Sequence, residues 1–271
     1  MKKFTTLLIA GFVSFTGLAF ANEGAKEAEH ISFSFEGPFG KFDRAQVQRG
    51  YKVYKEVCSN CHSMKYVAFR NLADKGGPNF TEEQVKALAA TFTIKDGPDN
   101  DGNMFDRPGL PSDYFPWTFA NPEAAKAANG GALPPDLSLI TKAREGWHGT
   151  FNQLVNGIGG PQYVYSLLTG YEEPSEELKK EAPEGKYYNP TFVSGHWIGM
   201  PPPLADGQVT FDDGAPNTVA DQARDVSAFL AWTAEPKMEE RKQTGFMVLI
   251  YLAILAAMMY FVKQRIWRDV H

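Results

Sequence analysis

The chain has 271 residues, with 27 Lys and Arg against 32 Asp and Glu, a net charge of −5, and two cysteines. That acidic balance argues against a nucleic-acid partner. No internal repeat is visible, and no alternation of strand and helix patterns supports a parallel sheet.

Residues 1–21 have the form of a secretory signal. Lys2 and Lys3 precede a mostly apolar run from Leu7 to Phe20, and Ala19-Phe20-Ala21 suits cleavage before Asn22. Residues 23–41 turn from polar to Phe- and Gly-rich and are expected to run extended. A helix opens at Asp43, where Asp43 with Gln46 forms a capping-box pattern and Phe42 with Val47 a staple pair. Val47, Tyr51, Tyr54 and Val57 then recur at helical spacing as far as Cys58. The same signals repeat at Thr81 with Gln84 and Phe80 with Val85, which start a second helix. Lys95 to Pro116, rich in Asp, Gly and Pro, is expected to be a loop. A short helix over Ala120–Ala128 is followed by the break Leu133-Pro134-Pro135-Asp136-Leu137. Pro161 begins another short helix, through Leu168, and Gly170 stops it.

Glu172 to Glu184 holds six Glu and two Lys and reads as a solvated loop or exposed helix. Pro201-Pro202-Pro203 is rigid and non-helical. A last soluble helix over Thr218–Thr233 carries Val219, Ala223, Val226, Phe229 and Leu230 on one face, and Glu235-Pro236 ends it. The pattern is mainly α, with long loops that a large cofactor would help to order.

Gly245 to Val262 is an uncharged run of 18 residues, about 27 Å as a helix and enough to cross a hydrocarbon core. Arg241 and Lys242 flank it on one side, and Lys263, Arg265 and Arg268 on the other. Residues 241–271 are therefore expected to form a single-pass anchor with a short tail. The exported domain, residues 22–240, holds 20 Lys and Arg against 31 Asp and Glu, a net charge of −11, which suits a basic protein partner. With the signal cleaved, the domain lies outside a bacterial inner (cytoplasmic) membrane, in the periplasm. The basic tail lies in the cytoplasm, as the positive-inside rule requires.

Both cysteines fall in Cys58-Ser59-Asn60-Cys61-His62. C-x-x-C-H is the attachment pattern of a c-type haem: two thiols add across the vinyl groups, and the adjacent imidazole is held under the iron. Zinc would need two further ligands at spacings that the other histidines do not offer. A filled sixth iron position means electron transfer, and an open one means gas or peroxide chemistry. Met64 is too close to His62 to reach the opposite face, and Met238, Met247, Met258 and Met259 lie in or beside the span. Met200, Met104, His148 and His196 remain. Met200 is favoured, because Gly199 permits close approach and three prolines stiffen the segment behind it.

The ordered motifs around this pattern resemble the cytochrome c1 family, the haem subunits of quinol–cytochrome c oxidoreductase (cytochrome bc1) complexes. They are Arg49-Gly50-Tyr51, Leu133 to Ser138, Lys142-Ala143-Arg144, Tyr163 to Tyr171, Gly199 to Pro203, Phe211 to Gly214, and Ala234-Glu235-Pro236 leading into one C-terminal span. The resemblance covers nearly the whole mature length. It implies a cytochrome c-like haem domain with long loop insertions, one covalently attached haem c, and His62 and Met200 as iron ligands. It implies Arg144 near a haem propionate and Asn129, Pro135 and Tyr163 lining the pocket. The implied role is electron transfer, without catalysis by the chain alone, from a Rieske iron–sulfur protein to cytochrome c in a respiratory or photosynthetic chain. The implied setting is a dimeric multi-subunit complex in membrane lipid, with the span beside cytochrome b. Some bacterial relatives brace the loop before the methionine with an extra cysteine pair. This chain has no third cysteine, so packing and proline alone are expected to hold the Met200 segment. The rivals are another membrane-bound cytochrome c, such as an oxidase subunit, and a haem gas sensor or peroxidase with an open sixth position.

Overall fold

A computed structural model describes residues 25–144, 157 and 159–268; the proposed signal and His148 lie outside them. Helix α1, Arg44–Glu56, starts where the Asp43 carboxylate accepts hydrogen bonds from the N–H groups of Ala45 and Gln46. The expected capping box is only half formed. The Gln46 side chain donates to Asp225 instead (3.1 Å), and the Asp43 N–H goes to Ser34 Oγ. Phe42 and Val47 are both buried, as a staple pair should be.

The inner face of α1 packs on α7, Val219–Ala234, which Thr218 and Asp221 open with a full capping box. The two helices meet at Gly50. A Cβ there would lie 2.0 Å from the Asp225 carbonyl oxygen and 2.7 Å from Phe229 Cβ, so only hydrogen fits. Beside the crossing, Tyr51 and Tyr54 meet Phe229 and Phe115 edge-on or tilted, with Phe69 and Phe92 completing the cluster. Arg49 bridges Asp225 (2.7 Å) and Asp213 (2.8 Å) across the same junction. Burial pushes the Asp225 carboxyl up, against the opposing pull of Arg49 and Gln46. Helix α7 is buried on nearly every side from Asp225 to Ala234, more than the single face its periodicity suggested, because α4 (Ile140–Ala143) and α5 (Gly160–Thr169) cover it as well.

The remaining elements are short. Helix α2, Glu82–Ala89, has the Thr81/Gln84 capping box, and α3, Pro122–Ala128, is capped by Asn121. Helix α6, Glu176–Lys180, is a single exposed turn within the Glu-rich stretch. The segment expected to be a loop contains a hairpin, β1 (Thr93–Asp96) with β2 (Phe105–Pro108), pairing Thr93 with Pro108 and Asp96 with Phe105. Arg107 accounts for it. Its guanidinium joins Asp96 to Asp113 and holds the Asp113 carboxyl down at about 2. A second small pair, β3 (Tyr187–Tyr188) with β4 (Trp197–Ile198), precedes Met200.

Helix α8, Met238–Trp267, is apolar around its whole circumference through the 18-residue run and is long and apolar enough to cross a membrane. Its first turns belong to the domain. Glu239 accepts from the Phe42 N–H (2.9 Å) and pairs with Arg44 (2.8 Å). Lys242 donates to the carbonyls of Phe35 (2.6 Å) and Gly40 (3.2 Å), and Phe39 meets Phe246 edge to face. Replacing Gly50 with Ala should destabilise the chain by about 1–3 kcal/mol, the usual cost of overpacking. The denaturant midpoint measures this, and an unchanged midpoint would mean that α1 and α7 do not meet as described.

Candidate functional site

Helix α1 ends at Val57, and the chain tightens at once into a 3-10 turn, Cys58–Asn60. The N–H groups of Cys61 and His62 both return to the Cys58 carbonyl (3.1 and 2.9 Å). The two intervening side chains are occupied with the helix end, Ser59 Oγ on the Lys55 carbonyl and Asn60 Nδ2 on that of Glu56. That leaves Cys58 and Cys61 as free thiols on one turn. Burial pushes the Cys58 thiol up to about 12, so it stands protonated. One neighbouring segment clamps the turn from outside: Trp117 Nε1 donates to the Cys61 carbonyl and Thr118 Oγ1 to that of Ser59, both at 2.9 Å.

His62 Nδ1 lies 2.8 Å from the Pro135 carbonyl oxygen. With Nδ1–H donating there, Nε2 is the nitrogen that can bind a metal. Burial pulls the imidazole below its ordinary range despite this bond, which favours the neutral, ligating form. Pro135 is held by its neighbour. One Asp136 carboxylate oxygen accepts from Ser63 Oγ (2.7 Å) and the Lys65 N–H (2.9 Å), and the other from the Ser138 N–H (3.0 Å). The Leu137 N–H and Ser138 Oγ add bonds to the Ser63 carbonyl and the Tyr66 N–H. Burial alone would raise Asp136, but these hydrogen bonds prevail and hold it below the usual carboxylate range.

The same loop reaches the Met200 segment. A Cβ on Gly199 would lie 2.9 Å from the Ala132 side chain, so the strand leaving β4 passes closely over the stretch between Asn129 and Pro135. Buried Asn189 ties the β3–β4 turn to α5. Its N–H goes to the His196 carbonyl, and its side chain donates to Leu167 and accepts from Thr191. The Tyr171 hydroxyl donates to the Met200 carbonyl oxygen at 3.0 Å. Packing and proline are thus joined by specific hydrogen bonds in holding this segment.

The other candidates fall as follows. Asn129 closes α3, and its side-chain nitrogen is committed to the Ala125 carbonyl. Arg144 ends α4, exposed, with Nη1 on the Ala143 carbonyl. Buried Tyr163 on α5 feels the Arg144 charge, which opposes the upward push of burial on its hydroxyl. Met104 sits at the tip of the first hairpin, 54% exposed, with its sulfur against Gly97. His196 directs Nδ1 to the Pro190 carbonyl from a left-handed turn (φ 64°), and Met64 lies wholly in the core. Among the described residues, no cluster of three His, Cys, Asp or Glu side chains that could hold a metal ion is found. A cleft of about 430 Å³ lies elsewhere, where Phe35, Phe39 and Phe42 face the root of α8.

Two free thiols on one turn beside an imidazole with one nitrogen pre-committed fit a covalently attached haem. Sequence reasoning missed Trp117, Thr118, Asp136 and Tyr171 as parts of the site. Their residue types carry no haem signal, and their contacts run 29 to 73 residues along the chain. Asp136→Ala should cost about 2–4 kcal/mol, since it removes hydrogen bonds to a charged acceptor and strands buried donors. The denaturant midpoint of the haem-loaded chain reads this. A shift under about 0.5 kcal/mol, the level of an ordinary surface change, would rule out Asp136 as the clamp of the Pro135 loop.

The Cytochrome C1 family pattern matches residues 33–270. The chain is 55% identical over 258 residues to the cytochrome b/c1 of Bradyrhizobium diazoefficiens, covering 93% of this chain and 37% of that longer protein. It is 46% identical over 279 residues to cytochrome c1 of Rhodospirillum rubrum, covering 97% and 96% of the two chains. It is 44% identical over 256 residues to a mitochondrial cytochrome c1 haem protein of Arabidopsis thaliana, covering 93% and 77%. The family match over residues 33–270 and these identities over most of the chain identify it as a member of the cytochrome c1 family, with a covalently bound haem c.

Proposed function

We propose that the chain is the membrane-anchored electron-transfer subunit of a quinol–cytochrome c oxidoreductase, taking one electron from a Rieske iron–sulfur protein and passing it to cytochrome c. The observation that carries this reading is the His62 side chain, fixed through Nδ1 by Pro135 directly beside the two free thiols. When bound, haem c supplies an iron that exchanges a single electron.

The chain's own residues hold that group and set its surroundings. The Cys58 and Cys61 thiols would hold the haem covalently, each as a thioether formed with one vinyl group, the thiol hydrogen going to the other vinyl carbon. His62 Nε2 and Met200 Sδ would be the protein atoms that hold the iron. Arg144 supplies the cation that a half-buried propionate needs, with Tyr163 beside it, and Asn129 and Pro135 line the pocket. A thioether in the sixth position raises the reduction potential and excludes small-molecule ligands.

Residues 22–240 stand on the periplasmic face of a bacterial inner membrane after removal of residues 1–21, and the tail beyond α8 is cytoplasmic. The span packs beside cytochrome b within a dimeric multi-subunit complex. The net charge of −11 on the domain favours a basic cytochrome c over a neutral one.

Met200→Leu should yield a haem protein that binds carbon monoxide when reduced. Its potential should fall by more than about 59 mV, the one-electron equivalent of a tenfold change in equilibrium constant. An unchanged spectrum and no carbon monoxide shift would remove Met200 from the iron. The association rate with a basic cytochrome c should drop about tenfold or more as salt rises to physiological strength, as it does for steered encounters. A rate indifferent to salt would eliminate the electrostatic part of the reading.

A further inference from the structure

Met200 is followed by three prolines. None of them has an N–H, so the backbone immediately after Met200 cannot anchor itself by donating. The segment must be held through its carbonyls and side chains. The hold on Met200 itself comes from a distance of 29 residues, where the Tyr171 hydroxyl donates to the Met200 carbonyl oxygen at 3.0 Å.

Tyr171 is well placed for this. It follows α5 by two residues, past Gly170, where a Cβ would lie 2.5 Å from the Ser166 carbonyl oxygen and 3.0 Å from Thr191 Oγ1. The chain therefore leaves the helix along one tight path. The end of α5 also receives the Asn189 side chain, on the Leu167 carbonyl at 2.8 Å. The β3–β4 turn before Met200 and the Met200 carbonyl are thus referred to the same helix terminus. On the far side, Gly199 leaves no room for a Cβ beside Ala132. The backbone of residues 199–200 is held between α5 and the Asn129–Pro135 loop.

We propose that Tyr171 is a positioning residue that fixes where the Met200 thioether stands and so sets the occupancy of the sixth iron position. This rests on the reading of Met200 as the sixth ligand. Tyr171 does not touch the iron; it acts through the Met200 backbone. Loss of one net hydrogen bond changes the balance between seated and unseated arrangements by between about two- and tenfold.

The test uses the full haem-loaded chain in detergent, with Tyr171→Phe and Met200→Leu compared with the native protein. The readouts are the sulfur-to-iron charge-transfer band of the oxidised form, the carbon monoxide affinity of the reduced form, and the potential. Tyr171→Phe keeps the ring and is expected to weaken the band and to raise carbon monoxide affinity two- to tenfold. The potential should fall by up to about 59 mV, the equivalent of that tenfold change. If Met200→Leu retains the band and excludes carbon monoxide, the ligand assignment fails and this proposal with it. If Met200→Leu loses the band while Tyr171→Phe matches the native protein in all three readouts, the role of Tyr171 alone is overturned. Should Tyr171→Phe fail to assemble, Tyr171→His, which keeps a ring N–H donor, is compared with Tyr171→Leu. Higher carbon monoxide affinity in the Leu variant than in the His variant supports the proposal, and equal affinities overturn it.

Discussion

The contact on which the rest depends is the crossing of α1 and α7 at Gly50, where no Cβ can be accommodated. It joins the beginning of the described chain to the end of its soluble part. Hydrophobic burial around it is dominated by aromatic rings, and the Arg49–Asp225 pair adds direction rather than much net stability, since burial of Asp225 works against it. Once the crossing forms, the C-terminal end of α1 presents the cysteine turn, and the end of α7 feeds directly into α8.

The site itself is two halves tied to one strap. His62 is fixed from one end of the Asn129–Leu137 stretch through Pro135. Gly199, next to Met200, passes close to Ala132 in the same stretch. Asp136 makes the strap stiff on the histidine side, where its carboxylate gathers three donors. On the methionine side the stiffness comes from Asn189 and Tyr171, both referred to α5. The iron–sulfur bond proposed for Met200 would need such support, because a weak bond cannot by itself offset the entropy of ordering a proline-rich loop.

Much of this was legible because it is local. Thr81 with Gln84, Gly170 after α5 and the C-x-x-C-H turn all express themselves within a few residues. The hairpin at Thr93–Pro108 was missed because its Asp, Gly and Pro content signals a loop, whereas Arg107 gains its partners only once the chain folds back. The first turns of α8 were read only as a charged flank, and their contacts with Phe35, Gly40 and Arg44 lie about 200 residues away in sequence. Asp136 and Tyr171 look like ordinary loop residues until the partners are brought together. The pocket roles of Asn129, Arg144 and Tyr163 came from family resemblance, which composition and spacing could not supply.

Helix α1 has a second consequence, mechanical rather than chemical. Its N-terminal end is fastened to the root of α8 through Phe42, Arg44 and Glu239, and its C-terminal end carries Cys58. Thirteen helical residues make a strut of about 20 Å between those two attachments. The haem turn therefore has a fixed standoff from the anchor, with no hinge of its own along α1. A domain built this way keeps its cysteine turn stationary relative to the root of α8, so the position of one is set by the other.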